Sequence, residues 1–226
     1  MKKLIPLFFI FTCIRIFSQE YHFDYFIKQN NKRIKPDNQQ WVRDSFYDSA
    51  TKSQLFLNVQ DKKIIGTIYQ EDKNIRHVFK VFQKGNNLNF TYKYSNQFDS
   101  SKRNEDYNKD NVIKIEKLDS LNYKIVAFKN SRLKKKQLYM VITLEKSDFD
   151  YINISADYNR TDEMEEKLKE LINPDFRYRV KREQIEYSSG YVFDNSLENI
   201  QKVDLVLNIP EKIILKEYNY WSDFEE

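Results

Sequence analysis

The sequence predicts a β-dominated fold, either all-β or α+β, in which a curled antiparallel sheet forms a half-barrel or a sandwich and one helix near residues 162–172 packs on it. Three observations support this prediction. Apolar and polar residues alternate along many segments, turn-forming residues separate those segments, and a single segment has helical periodicity. Alternation with period two is typical of an antiparallel strand with one face in the core and one in water. Short turns between such segments indicate a meander of hairpins.

The predicted strands fall into a clear and a weaker group. The clear group lies at 23–27, 55–59, 88–94, 138–144, 176–180 and 203–209, and the weaker group at 63–69, 75–82, 111–118, 121–128 and 213–220. In the third clear strand, Leu88, Phe90, Tyr92 and Tyr94 are predicted to share one face. Two stretches, 29–50 and 96–110, have neither period, and the second is so polar that it is predicted to be a mobile loop.

One segment has the features of a helix. Asp162 with Glu165 three residues later resembles a capping box, and Asn173-Pro174 would end the helix. The apolar residues of this segment fall on one predicted face: Met164, Leu168, Leu171 and Ile172.

The first 18 residues have the features of a secretory signal peptide. Met1-Lys2-Lys3 precedes an apolar run from Leu4 to Ile14, and Ser18 is a small residue at the expected cleavage point. The run is too short for a spanning helix, which needs about 20 residues. We therefore predict a signal peptide at 1–18, a single β-rich domain at 19–226, and no transmembrane segment after cleavage. Lipoprotein processing at Cys13 is the alternative.

Composition excludes several classes of protein. The chain has 38 Lys+Arg and 34 Asp+Glu, and loss of Lys2, Lys3 and Arg15 would leave 35 against 34, so no nucleic-acid partner is predicted. The only cysteine, Cys13, would leave with the signal peptide, so the remaining domain has no disulfide and no thiol nucleophile. The three glycines, Gly66, Gly85 and Gly190, are too far apart in the sequence for a P-loop or a GxGxxG loop, and no cofactor is predicted.

The residues that could carry chemistry are few. His77 alternates with apolar neighbours, which predicts a core histidine, with a base or ligand as the alternative. No HExxH motif is present, and no metal site is predicted. Asp148 and Asp150 flank Phe149, and on an extended chain their carboxylates would lie on one face roughly 6–7 Å apart. That spacing suits acid–base catalysis in a hydrolase.

Other residues are candidates for binding. Arg132, Lys134, Lys135 and Lys136 form a basic run at a predicted hairpin tip, which is either a solvated loop or a contact for an anionic partner. Tyr92 and Tyr94 either belong to the core or line a groove for sugars or acyl chains. Tyr218, Tyr220 and Trp221 form an aromatic cluster near the end of the chain.

Two resemblances add an expectation of location. The first 19 residues, Tyr21-His22-Phe23-Asp24-Tyr25, and Lys202–Leu205 with Ile209-Pro210 resemble segments of exported β-rich proteins of unknown function from flavobacteria and their relatives. That resemblance implies a periplasmic, outer-membrane-associated or secreted location and no activity. The strand-rich pattern with one helix is also similar to the open-barrel lipoprotein carriers, although 20–28 is predicted to be a strand where those proteins begin with a helix.

From these observations we predict an exported, non-catalytic module of the cell envelope that binds an apolar ligand or a protein partner. An envelope hydrolase that uses paired carboxylates and an open-barrel carrier of lipid or lipoprotein are the alternatives.

Overall fold

The computed structural model describes residues 19–85, 87–97, 108–219 and 223–224, apart from the side chain of Glu71. Within these ranges the chain forms one twelve-stranded sheet, with strands in the order β12-β6-β5-β4-β3-β2-β1-β11-β10-β9-β8-β7. The strands are β1 (Gln19–Lys35), β2 (Gln39–Tyr47), β3 (Gln54–Gln60), β4 (Lys63–Gln70), β5 (Ile75–Lys84), β6 (Asn87–Gln97), β7 (Val112–Lys117), β8 (Asn122–Phe128), β9 (Lys136–Ser147), β10 (Arg177–Tyr187), β11 (Val192–Ile209) and β12 (Leu215–Lys216). Helix α1 (Thr161–Lys169) lies between β9 and β10 in the chain, and the sheet is open because its end strands, β12 and β7, do not pair. The β-dominated fold with one packed helix is therefore confirmed.

The stretch 29–50, which has no alternation, contains the last seven residues of β1 and all of β2. These strands pair from Tyr25↔Tyr47 to Arg33↔Gln39. Polar residues occupy both faces at the end of β1, as the neighbours Asn30 and Asn31 do, and apolar residues of β2 come in adjacent pairs such as Phe46-Tyr47. Both patterns remove the period-two signal, while the ladder itself is made by backbone groups. The predicted strand at 213–220 shrinks to the two residues of β12, and residues 98–107 of the predicted loop lie outside the described ranges.

Two rows of directly paired residues define the faces of the half-sheet β1–β6. Paired residues point to the same side of a sheet, whereas successive residues of a strand alternate. The first face carries the row Ile27, Ser45, Phe56, Thr67, Val78 and Tyr94. The second face carries the row Phe26, Phe46, Leu55, Ile68, His77 and Ser95.

The strand at 88–94 does not keep its aromatic residues on one face, so that prediction was wrong. The pairing of β5 with β6 shifts between Val78↔Tyr94 and Phe79↔Tyr92, which leaves Lys93 as an extra residue. Such a β-bulge reverses the alternation for the rest of a strand. Leu88, Phe90 and Tyr92 consequently pack on the second face, whereas Tyr94 joins a separate cluster on the first face.

The two faces have different cores. On the second face, Tyr21 and Phe23 from the start of β1 and Leu207 and Ile209 from the end of β11 pack against residues such as Leu55, so the ends of the two longest strands curl over β3–β6. On the first face, the largest cluster lies over β7–β10 and includes the helix residues Met164 and Leu168.

The helix differs in detail from its prediction. It begins at Thr161 after Arg160, which makes no side-chain cap, so Asp162 is an internal residue of the first turn. Arg160 instead donates to the Glu163 carboxylate and to the backbone carbonyl oxygens of Asn108 and Asn111. These hydrogen bonds, rather than the predicted capping box, hold the start of the helix in place. The helix ends before Leu171, which is 41% exposed rather than part of the buried face.

Residues 151–158 cross the first face before the helix and are called the crossover segment below. Tyr151 makes a single bridge to β10, in which its backbone N–H donates to the Tyr178 carbonyl oxygen at 2.9 Å. Ile152, Ile154 and Ala156 are buried in the cluster on this face. Two carboxylates accept further backbone N–H groups of the segment: Glu165 accepts from Ile154 at 2.9 Å, and Glu183 accepts from Ser155 at 3.1 Å.

Candidate functional site

A cavity with a volume of about 610 Å³ lies where the start of β1 faces two turns. It is called the N-terminal cavity below. One wall comes from Gln19–His22, a second from the turn between β2 and β3 (Asp48 to Gln54), and a third from the end of β4 through Asp72. Its volume falls within the roughly 300–1,000 Å³ that is usual for small-molecule sites.

Part of the polar lining of this cavity is already satisfied inside the protein. The Asp48 carboxylate accepts the backbone N–H of Ala50 at 2.9 Å and the Thr51 hydroxyl at 2.5 Å, which shapes the β2–β3 turn. Gln54 Nε2 donates to Ser45 Oγ at 3.0 Å, and Gln54 Oε1 accepts from Asn153 at 3.4 Å. These residues hold the walls in place.

Another part of the lining has no polar partner among the described residues. Gln70 Oε1 is buried without a hydrogen bond, and the carboxylates of Glu20 and Asp72 and the ammonium of Lys52 make no side-chain hydrogen bond or ion pair within the same ranges. Burial, with a smaller contribution from nearby Asp72, raises the pKa of Tyr21 to about 12, so its hydroxyl stays protonated at neutral pH.

The chemistry of this lining suits a polar ligand. Carboxylates and a carboxamide oxygen accept hydrogen bonds from hydroxyl or amino groups. Phe56 and Tyr69 form an edge-to-face pair, with ring centroids 6.3 Å apart, that adds an aromatic wall. With Glu20, Asp48 and Asp72 against Lys52, the cavity is unsuitable for an anion.

His77 lies in the core of the second face and is 2% exposed. Its Nδ1 lies 2.8 Å from Ser95 Oγ, which in turn lies 2.7 Å from the Tyr92 hydroxyl. Burial, and to a lesser extent Lys73, lowers the pKa of His77 to about 4, so the ring is neutral at ordinary pH. A neutral histidine sealed from solvent fits the predicted core role.

Asp148 and Asp150 lie in the bend after β9, not on an extended strand. Asp150 accepts the backbone N–H of Tyr178 at 3.0 Å, while exposed Asp148 lies 3.6 Å from Lys202. Phe149 between them is buried and stacks on Tyr25, with ring centroids 3.8 Å apart. Asp150 thus helps to hold this bend, and neither carboxylate lines the N-terminal cavity.

The basic run is at a hairpin tip, as predicted. Arg132, Lys134 and Lys135 are exposed between β8 and β9, and Lys136 begins β9. No carboxylate of the described chain forms an ion pair with them. The tip is far in sequence from the residues of the N-terminal cavity and does not line it.

The aromatic candidates are dispersed. Tyr92 packs on the second face and Tyr94 on the first, while Tyr218 is 48% exposed with its ring centroid 4.9 Å from Arg76 Cζ. Tyr220 and Trp221 lie outside the described residues.

The segment that carries Tyr218 covers part of the first face. Asp223 Oδ1 accepts from Arg76 Nη2 at 2.5 Å and from the Tyr94 hydroxyl, and both Arg76 and Asp223 are 1% exposed. Beside it, a cavity of about 240 Å³, called the lysine cavity below, has walls of Ile65, Phe82 and Phe224 and four lysines at its rim. Those lysines are Lys62, Lys63, Lys80 and Lys93.

Sequence reasoning missed the N-terminal cavity. Its walls come from Gln19–His22, 48–54, 56 and 69–72, and they meet only because β1 curls over the turn between β2 and β3 and the turn after β4. The individual residues are ordinary turn and strand residues with no motif spacing. The buried acceptor of Gln70 becomes visible only after the strands are placed.

Comparison with known proteins gives likenesses among solved structures only. No family model and no curated protein matches the chain. Among solved structures, a LolA superfamily protein from Nitrosomonas europaea is similar at 11% sequence identity and a TM-score of 0.23, over 80% of this chain and 87% of the other.

No helix in the described ranges combines the length and the apolar composition that a membrane crossing needs. Within those ranges, no group of three or more histidine, cysteine or acidic side chains is close enough to hold a metal ion.

Proposed function

We propose that this chain is an exported, non-catalytic binding module that holds a hydroxyl-rich polar ligand, such as a short saccharide, in the N-terminal cavity. The observation that carries the proposal is the buried, unpartnered Oε1 of Gln70 in the wall of a 610 Å³ cavity. Buried acceptors are almost always hydrogen-bonded, and a ligand hydroxyl would supply the missing donor.

The charges of the cavity support the same ligand class. Glu20 and Asp72 add two acceptors without partners in the described chain, and the Phe56–Tyr69 pair offers an aromatic wall to the apolar side of a sugar ring. Export is proposed from the signal-like first 18 residues. The absence of any assembled nucleophile and base in this cavity favours binding over catalysis.

The proposal is tested by calorimetric titration of the purified chain with neutral oligosaccharides, using maltotetraose and cellotetraose as probes. Asp72→Asn and Gln70→Leu should each weaken binding by roughly tenfold or more, because a lost hydrogen bond to a charged or buried group is worth about 1.5–3 kcal/mol. Asp175→Asn, an exposed acid outside the cavity, is the matched control. Failure of both probes to bind, or binding that is unchanged in both cavity variants, would contradict the proposal.

A second candidate function is the binding of an apolar ligand, as the sequence predicts, in the lysine cavity. The lysine cavity joins apolar walls to a basic rim, and Lys80 Nζ lies 5.0 Å from the Phe82 ring centroid, an arrangement that suits an anionic amphiphile. Its volume of about 240 Å³ is small for a complete acyl chain. Palmitate in the same titrations separates the two candidates: binding that is lost in Lys80→Gln and kept in Asp72→Asn would favour the amphiphile.

A further inference from the structure

A row of three polar residues and one tryptophan crosses the first face beside the crossover segment. Trp41 of β2, Asn31 of β1, Asn195 of β11 and Glu183 of β10 are direct neighbours in four successive strands, so all four side chains point to the same side of the sheet. The crossover segment covers the Glu183 end of this row, which is 3% exposed, and leaves Trp41 37% exposed at the other end.

At the middle of this row two amide side chains have unused hydrogen-bonding atoms. Asn195 Nδ2 donates to Ser155 Oγ at 2.9 Å, and the Ser155 hydroxyl donates to Glu183, which fixes the orientation of the Asn195 carboxamide. Its Oδ1 is then buried without a partner, and so is Nδ2 of Asn31, whose side chain belongs to a residue only 3% exposed. Burial of one such atom is costly, and two neighbouring ones indicate that a missing group completes them.

Both atoms belong to residues that line a cavity of about 130 Å³, called the amide cavity below. Ile185 and Phe193 form its apolar wall, and Trp41 lies at its margin with its ring centroid 6.4 Å from that of Phe193. The cavity is well below the roughly 300–1,000 Å³ that encloses a whole small-molecule ligand. It therefore has room for one substituent of a larger molecule, whose remainder would lie outside over Trp41.

The donor and the acceptor define that substituent. A group that satisfies both must carry an acceptor for Asn31 Nδ2 and a donor for Asn195 Oδ1, and a secondary amide offers both, on the oxygen and the nitrogen that its carbonyl carbon joins. The apolar wall of Ile185 and Phe193 then suits a methyl group on the carbonyl carbon. We propose that the amide cavity binds the acetamido group of an N-acetylated amino sugar.

An amide within a peptide chain fits less well. A peptide continues on both sides of each amide, whereas the crossover segment closes the amide cavity at Ser155 and Asp157. An acetamido group ends in its methyl and needs a single opening, and the exposed indole of Trp41 lies at that opening to receive the sugar ring. The site is separate from the N-terminal cavity, with which it shares no lining residue.

The test is a calorimetric titration of the full chain with tetra-N-acetylchitotetraose, with two matched probes beside it: the deacetylated glucosamine tetramer and cellotetraose. The acetylated probe should bind at least roughly tenfold more tightly than either of the others at this site, because only it supplies the amide. Asn31→Leu should abolish that preference. Because it replaces an unpartnered buried amide with an apolar side chain of similar size, it should leave the melting temperature unchanged or higher.

Asn30→Leu is the control, since Asn30 is the neighbouring residue of the same strand and faces the opposite side of the sheet. It should retain the preference for the acetylated probe, and so should Asp72→Asn, which alters only the N-terminal cavity. Equal affinity for the acetylated and deacetylated probes, or a preference that survives in Asn31→Leu, overturns the proposal. Asn31-dependent binding of trialanine, with none of the acetylated sugar, also overturns it and assigns the site to peptides.

Discussion

The first face of the sheet is covered at both ends, but the two covers are built from opposite chemistry. Over β7–β10 the helix and the crossover segment bury aliphatic side chains such as Leu168, Met140 and Ile142, each no more than 1% exposed. Over β4–β6 the segment around Asp223 is held by a buried ion pair with Arg76 and by lysines that bond its backbone carbonyl oxygens.

This difference predicts different responses to perturbation. An apolar cover contributes to the free energy of unfolding in proportion to the area it removes from water. A buried ion pair gains little net free energy after its desolvation, yet it is damaging to break because one charge is left without a partner. The helix with the crossover segment, called the helical cover, should therefore unfold only with the core. The segment around Asp223, called the C-terminal cover, should behave as a separable segment that charged groups hold in position.

The largest effect is expected at the helical cover. Leu168→Ala removes a fully buried side chain and should lower the free energy of unfolding by about 2–5 kcal/mol, from lost transfer free energy and the cavity left behind. Leu171→Ala, three residues later and 41% exposed, is the matched control and should stay within about 0.5 kcal/mol. Denaturant titration of both variants measures the contrast. Similar losses in the two would mean that the helix is not a core element.

Much of this contrast could be predicted from the sequence, but not all of it. The apolar stripe with Met164 and Leu168 predicted the helical cover, because the buried face of a helix shows in the sequence as apolar residues at every third or fourth position. The C-terminal cover carries no such signal: Asp223 is far in sequence from Arg76, and only the folded sheet brings the two charges together. Position along the chain alone gave no reason to pair them.

The same limit explains the errors on the strands. Period-two reasoning placed Tyr92 and Tyr94 on one face because a bulge leaves no mark in the alternation of Leu88, Phe90, Tyr92 and Tyr94. It also missed the paired strands in 29–50, because their ladder depends on backbone groups while polar residues occupy both faces of β1 there and apolar residues of β2 come in adjacent pairs. Asn31 lies in that stretch, and Asn195 lies in the first half of β11, where no strand was predicted.

The C-terminal cover should give a smaller, local effect. Asp223→Asn keeps the shape of the side chain and removes the charge opposite Arg76. We expect the free energy of unfolding to fall by about 1–3 kcal/mol. The loss is limited because the segment can separate from the sheet and expose Arg76 to water. The amide of Ser95, which donates to Ile214 at 2.8 Å, should exchange faster with solvent, whereas the amide of Ile142 should not. Asp204→Asn, in an exposed pair with His22, should change nothing measurable. Equal acceleration at Ser95 and Ile142 would show that the two covers unfold together.

The smallest effect concerns the one carboxylate that the helical cover buries completely. Burial raises the pKa of Glu183 from 4.5 to about 6, against the hydrogen bonds from Ser155 that act to lower it. The folded protein then binds the Glu183 proton more tightly than the unfolded chain does, so this group favours the folded state at low pH. Its contribution is fully present below about pH 4.5 and is lost as the pH rises through about 6.

A shift of about 1.5 pKa units corresponds to roughly 2 kcal/mol. Glu183→Gln cannot ionise, so the difference in unfolding free energy between the variant and the parent chain should move by about that amount in favour of the variant between pH 4 and pH 7. Denaturant titrations of both proteins at several pH values measure this difference directly, and other titrating groups cancel from it. Glu186→Gln on the same strand, where Glu186 is exposed, is the matched control and should show no such trend. If the difference in unfolding free energy between Glu183→Gln and the parent chain did not change with pH, Glu183 would stay ionised in the folded protein. The helical cover would then tolerate a buried charge much as the C-terminal cover does.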